Sequence, residues 1–228
     1  GRPKTFFNIV LAVRNIWFRA TDLDRKNIRI KATKASQYLM AFLANIHLQN
    51  WMKKSNFGAF LNEWGRTLAT YGSAISKFSE KDGELVAEVI PWNRLLVDAV
   101  DFENNLKIEK LYFTPAQLRM NENYDQEMVE SLIEDQKQPR RNWSGQQKDN
   151  KSDYIPIYEI HGNLSQTTYN ESKGYEVKEG DEKIFYQQMH VVSFTGRKGK
   201  YSDYTLYCGK EKQDPYIITH LIREDGRT

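Results

Sequence analysis

Asp98, Asp101 and Glu103 are the acidic side chains best placed to hold a hard cation such as Mg²⁺. A metal-dependent nuclease using Asp98, Asp101 and Glu103 is therefore one reading of the chain. Two features weigh against it. Asp98 and Asp101 are an odd number of residues apart, so on an extended strand they point to opposite faces. The nearby Lys107-Ile108-Glu109-Lys110 supplies no clean Glu-x-Lys partner. The competing expectation is that these carboxylates belong to a turn and a strand edge. The single cysteine, Cys208, raises a different chemistry, with His190 and His220 near it only in sequence. A nucleophilic pair requires contact that spacing alone does not establish, so a packed strand cysteine is expected. His47 and His161 complete a scattered set of imidazoles. No phosphate-binding Gly-x-x-x-x-Gly-Lys loop, Gly-x-Gly-x-x-Gly turn or His-Glu-x-x-His pair occurs. Neither a cofactor, a metal nor a catalytic residue is expected.

Two basic spots suggest contact with nucleic acid. Arg140 and Arg141 stand beside Trp143, which combines cations with a stacking surface. Arg197, Lys198 and Lys200 crowd a hairpin tip. If the five cations met duplex phosphates, log affinity would fall against log salt with a slope of about −4.5. A small nucleic-acid-binding module is thus a further alternative, against the plainer view that both spots are solvated loops.

The elements that must position these residues change character along the chain. From Pro3, which suits a first helical position, the apolar residues Phe6, Phe7, Val10, Val13 and Trp17 recur at helical spacing. Asn27 to Lys31 alternates as a half-buried strand does. Thr33 is expected to cap a helix carrying Leu39, Phe42, Leu43 and Ile46. Ser55 or Asn56 opens the next, over Phe57, Phe60, Leu61, Trp64 and Leu68, with Gly72 as its left-handed stop. Ala74–Phe78, a turn at Asp82-Gly83 and Leu85–Ile90 form a hairpin. Leu95–Val100 and Leu106–Phe113 make a second strand pair. Thr114-Pro115-Ala116-Gln117 is a capping box opening a helix that restarts near Tyr124, with Met128, Leu132 and Ile133 on one face. Strands are then expected at Tyr154–His161, Lys183–Thr195, Lys200–Cys208 and Tyr216–Ile222.

The class is α+β: amphipathic helices packed on antiparallel β hairpins, followed by a β-rich C-terminal part. Composition bounds the function. The 228 residues carry 33 Lys+Arg against 30 Asp+Glu, a net +3, which excludes a polybasic clamp as a whole-chain property. An apolar content of 39% excludes a disordered chain. No apolar run reaches the ~18–20 residues of a membrane span. One cysteine excludes an internal disulfide framework. Without a starting methionine and with a charged last segment, the chain is expected to be an excised part of a longer protein.

The order of several segments resembles the portal proteins of tailed bacteriophages. The carriers are Pro3-Lys4-Thr5-Phe6-Phe7-Asn8-Ile9-Val10, an entry helix followed by the strand Asn27–Lys31, then the Trp64–Ala74 segment whose helix ends in Tyr71-Gly72 before a hairpin. They continue with Val89-Ile90-Pro91-Trp92-Asn93-Arg94-Leu95-Leu96-Val97-Asp98, similar to a strand, proline, strand and aspartate of portal wings. Lys107–Leu118, a tyrosine-bearing strand running into a Thr-Pro helix, and Ile157–Leu164 follow. The resemblance covers most of residues 3–165. It implies a portal-wing-like region over 1–136 of a longer chain; the polar composition of 137–153 predicts a mobile loop, and the Tyr-, Ile- and Val-rich 154–228 a β-rich extension. It further implies a structural, non-enzymatic subunit of a homo-oligomeric, dodecameric ring at the portal vertex of the virion, assembled in the host cytoplasm. Double-stranded DNA passes through such a ring during packaging and ejection. The partners implied are the terminase large subunit, the capsid and head-completion or adaptor proteins, with no membrane.

Overall fold

The computed structural model describes residues 8–20, 25–81, 83–98, 101–137, 140–141, 147–148, 154–197 and 200–221. Contacts divide the chain into two compact units, 1–91 with 215–227, and 92–214. These boundaries differ from the linear segmentation at 136 and 153. The cause is a single returning strand that pairs with the first hairpin (below), which ties 215–227 to the N-terminal unit.

In the first unit, β1 (Ser73–Lys81) and β2 (Glu84–Ile90) pair antiparallel with Lys81 opposite Glu84, which leaves a two-residue connection. Gly83 at its second position has φ +75°, the left-handed conformation that an Asp-Gly turn supplies. The returning strand β10 (Tyr216–His220) pairs antiparallel with the other edge of β1, Ser73 opposite His220. Helix α3 (Phe57–Tyr71) packs on this sheet, and Gly72 closes it at φ +74° with its N–H bonded to the Leu68 carbonyl. Leu68, Ala74, Ile75 and Ile90 of these elements are buried, as is Met52 from the preceding helix. A chain of rings, Trp51, Phe57, Phe60 and Phe78, runs at centroid spacings of 5.0, 5.0 and 6.1 Å, and the Trp51 indole N–H donates to the Leu85 carbonyl.

The remaining helices of this unit depart from the sequence expectations. Helix α1 (Ile9–Ala20) starts behind Asn8, whose Oδ1 accepts from the Leu11 N–H; Pro3, Phe6 and Phe7 lie outside the described residues. The strand expected over Asn27–Lys31 is absent. A 3-10 turn (Arg25–Asn27) leads into irregular chain, because α2 (Tyr38–Lys54) satisfies the backbone with side chains instead of a neighbouring strand. Asn45 accepts from the Ile30 N–H at 2.9 Å and donates to the Ile30 carbonyl at 2.8 Å. Gln49 donates to the Ile28 carbonyl. Thr33 caps nothing: a 3-10 turn (Ala35–Gln37) intervenes and α2 begins at Tyr38.

The second unit is built on a five-stranded antiparallel sheet in the order β3 (Leu95–Leu96), β4 (Lys107–Phe113), β7 (Ile155–Ser165), β8 (Phe185–Arg197) and β9 (Lys200–Lys210). A separate pair, β5 (Arg140–Arg141) and β6 (Gln147–Lys148), falls in the segment expected to be a mobile loop, most of which lies outside the described residues. Thr114 and Gln117 form the expected reciprocal capping box of α4 (Pro115–Met120). Helix α5 (Gln126–Lys137) buries Val129, Leu132 and Ile133 against Leu118, Ile155, Ile157 and Val191; Met128, expected on that face, is exposed. Helix α6 (Gln166–Lys173), unforeseen because its residues are almost all polar, is capped by the Ser165 hydroxyl and stopped by Gly174 at φ +67°. The α+β class is as read from the sequence, helices first and the larger sheet last.

Leu132 is fully buried at the centre of the α5 contact. Leu132→Ala is expected to cost about 2–5 kcal/mol through lost transfer energy and the cavity left behind, read as a lower urea midpoint with an unchanged m-value.

Candidate functional site

The antiparallel register of β8 and β9 sets Cys208 directly opposite His190, so the contact that sequence spacing left open does exist. Cys208 Sγ lies 3.1 Å from His190 Nε2, and both residues are buried. The surroundings decide what this pair can do. Gln188 Nε2 donates to the carbonyls of Leu164 and Ser165, which turns its Oε1 toward His190 Nε2 at 3.0 Å. That oxygen can only accept, so Nε2 carries the imidazole proton and cannot receive one from the thiol. Burial, opposed by Ser172 and Lys173, pushes the Cys208 thiol up. Burial, aided by Lys173, pushes the His190 imidazole down. Both shifts favour the neutral forms, the reverse of what an activated thiolate–imidazolium pair requires. The arrangement is a packed polar contact, as expected of a strand cysteine.

A second cluster escaped sequence reasoning. Lys107 and Glu109 on β4 face His161 and Glu159 on β7, Lys107 opposite His161 and Glu109 opposite Glu159. All four are buried. Arg94 donates to Glu109 at 2.6 Å, Lys107 pairs with Asp214, and His161 Nδ1 sits 3.0 Å from Glu211 and Nε2 3.7 Å from Glu159. Burial and the neighbouring Glu159 push the Tyr124 hydroxyl well above its ordinary range. The signal was present as charges two apart on each strand, Lys107-x-Glu109 and Glu159-x-His161, which places them on one face. The charges pair with one another, which is the form a structural network takes.

The acidic trio does not assemble into a metal centre. Strand β3 ends at Leu96, so Asp98 and Asp101 lie in the loop before β4. Asp98 Oδ2 accepts from Asn105 Nδ2, and Asp101 Oδ1 from the N–H and Nδ2 of Asn104, which closes the loop. The Glu103 carbonyl, rather than its carboxylate, accepts from Lys107 Nζ. Among the described residues no group of three His, Cys, Asp or Glu is placed to hold a metal ion.

Of the expected nucleic-acid contacts, Arg140 and Arg141 lie on β5, and Arg197 pairs with Lys200 across the β8–β9 hairpin. Trp143, Lys198 and the placement of the side chains of Arg140, Arg141, Arg197 and Lys200 lie outside the described residues.

The surface that most needs explanation is helical and apolar. Helix α1 buries no residue, and Ile9, Val10 and Ile16 are 64%, 74% and 68% exposed. The face of α2 expected to be core, Leu39, Phe42, Leu43 and Ile46, is also exposed. Both helices thus leave large apolar side chains in water. No helix among the described residues is long and apolar enough to cross a membrane. No protein-family model matches the chain, and no curated protein matches it in sequence.

Two outcomes follow from the Cys208–His190 contact. Native Cys208 is expected to react with iodoacetamide at pH 8 on the order of a hundredfold more slowly than in urea; comparable rates would show an accessible thiol. Because the folded-state value of His190 lies below its ordinary 6.5, the unfolded chain binds more protons just below that pH. The stability contributed by neutral His190 is complete above 6.5 and is lost as pH falls toward the lowered folded-state value. The urea midpoint should therefore drop more between pH 7.5 and 5.5 in the wild type than in His190→Gln.

Proposed function

We propose that the chain is a non-enzymatic structural subunit of a tailed-phage portal ring, the channel for DNA packaging and ejection. The observation that carries this reading is the open apolar surface of α1 and α2. Side chains of this size left in water forgo about 25 cal/mol per Å² of burial, which a neighbouring protein surface recovers. Helix α3 ending in Tyr71-Gly72 before a hairpin supports the same reading. So does the run from β2 through Pro91 to β3, and from β4 into the Thr114-Pro115 helix, whereas the strand that the likeness places at Asn27–Lys31 does not form. A ring subunit acts through geometry and contact, so it requires no activated nucleophile or metal centre. The terminase large subunit during packaging, and the head-completion or adaptor proteins afterwards, would be its partners.

The test is negative-stain electron microscopy of the protein at its natural length, with mass from light scattering. Rings with a central channel wide enough for duplex DNA are expected. Particles of one-chain mass at every concentration and salt would overturn the proposal.

A further inference from the structure

Charge is segregated between the two units. Residues 1–91 with 215–227 carry 16 Lys+Arg against 9 Asp+Glu, whereas 92–214 carry 17 against 21. Within the first unit the positive charge is concentrated, since the stretch 25–62 holds seven cations and no acid. Arg29, Lys31 and Lys34 in that stretch are exposed, and none of them forms an ion pair among the described residues. They lead directly into Tyr38, Leu39 and Phe42, exposed on the first turns of α2. Base and apolar surface are therefore continuous. The backbone beneath is held in place, because Asn45 of α2 clamps both the N–H and the carbonyl of Ile30.

The second unit presents the complementary pattern. Glu127, Glu130 and Glu134 recur at i, i+3 and i+7 on α5, so they share the face opposite the buried Val129, Leu132 and Ile133, and all three are exposed. Glu130 is forked by Arg119 from α4, which fixes part of this acidic face. Met120, at the end of α4 and one short turn before α5, is 81% exposed. Acid and apolar surface thus adjoin here as base and apolar surface adjoin in the first unit.

We infer that the basic and apolar surface of residues 29–42 docks on the acidic outward face of α5 in a second copy of this chain. A polyphosphate would match Arg29, Lys31 and Lys34 but would leave Tyr38, Leu39 and Phe42 in water. A second copy supplies carboxylates and apolar side chains together. The two surfaces differ, so the contact is head-to-tail: each copy offers one used and one open surface until the series closes into a ring. The inference rests on the ring reading above and names the residues that would carry it. Opposite charge across such a contact sets partner choice and register, and it weakens with salt.

The test is a charge exchange in the natural-length protein, read by sedimentation velocity and negative-stain microscopy at low and high salt. Lys31→Glu with Lys34→Glu, and separately Glu127→Lys with Glu134→Lys, should each weaken self-association at least about tenfold. Each reversal lies on the exposed surface, and circular dichroism of each variant checks that it folds. Mixing the two variants should restore assembly, because every contact between unlike variants again joins opposite charges. Rings that persist in both variants would overturn this contact while leaving the ring reading intact. A protein that stays monomeric at every salt, wild type included, would overturn both. Duplex DNA retained by the wild type and lost with Lys31→Glu and Lys34→Glu, without rescue by the Glu127 and Glu134 variant, would assign the surface to nucleic acid instead.

Discussion

Glu109 and Glu159 stand directly opposite each other on neighbouring strands, on the sheet face that also carries Ile157 and Leu111. Like charges in that position repel, and burial removes the water that would screen them. The pair persists because Arg94 reaches Glu109 and His161 lies between Glu159 and Glu211, while Lys107 is matched by Asp214. The partners come from four different stretches of chain, so the network can form in only one strand register. Sliding β4 past β7 by one residue would turn all of these side chains to the opposite face and separate every pair. The pairing of β8 with β9, which seats Cys208 beside His190, belongs to the same sheet. Removing one member would strand another in a buried site, which is why such networks fix a single structure more than they add to its stability.

The two units handle their apolar material differently. The second covers one face of its sheet with α4 and α5, while α6 packs over the other face at Tyr186 and Cys208. The first buries the inner face of α3 against a three-stranded sheet and leaves the apolar residues of α1 and the start of α2 in water. The amide side chains of Asn45 and Gln49 are spent on the backbone of residues 28–30, so part of α2's capacity goes to fixing the basic stretch in place. Rigidity beneath an exposed surface is what specific association requires, because it lowers the ordering cost of contact.

Much of the fold was legible from local chemistry. Gly83, Gly72, and the Thr114–Gln117 capping box each act within a few residues, and each stands where its chemistry placed it. The departures come from interactions that act at a distance. Alternation over Asn27–Lys31 is a strand signal only if another strand is available to pair, and here α2 side chains take that role. Periodicity marks an apolar face on α2 but does not say whether anything covers it. Helix α6 has no apolar stripe to detect, and only Ser165 and Gly174 at its ends betray it. For the candidate site, the type of each residue was readable and the company it keeps was not. Cys208 and His190 are eighteen positions apart, and only the β8–β9 register joins them. The Lys107–Glu109 and Glu159–His161 pattern could have been found by asking which face each strand residue occupies.

The return of β10 to the far edge of β1 makes residues 92–214 an insertion within the first unit. During synthesis the β1–β2 hairpin emerges more than a hundred residues before its third strand. The second unit is continuous in sequence, so its sheet can be completed while β1 still shows an unpaired edge. Such an edge is a template for mispairing with other nascent chains. Topology thus makes every strand of the inserted unit available before the unit bearing the apolar helices receives its last one. That delay leaves the unit carrying α1 and α2 incomplete until almost the whole of this sequence has been made.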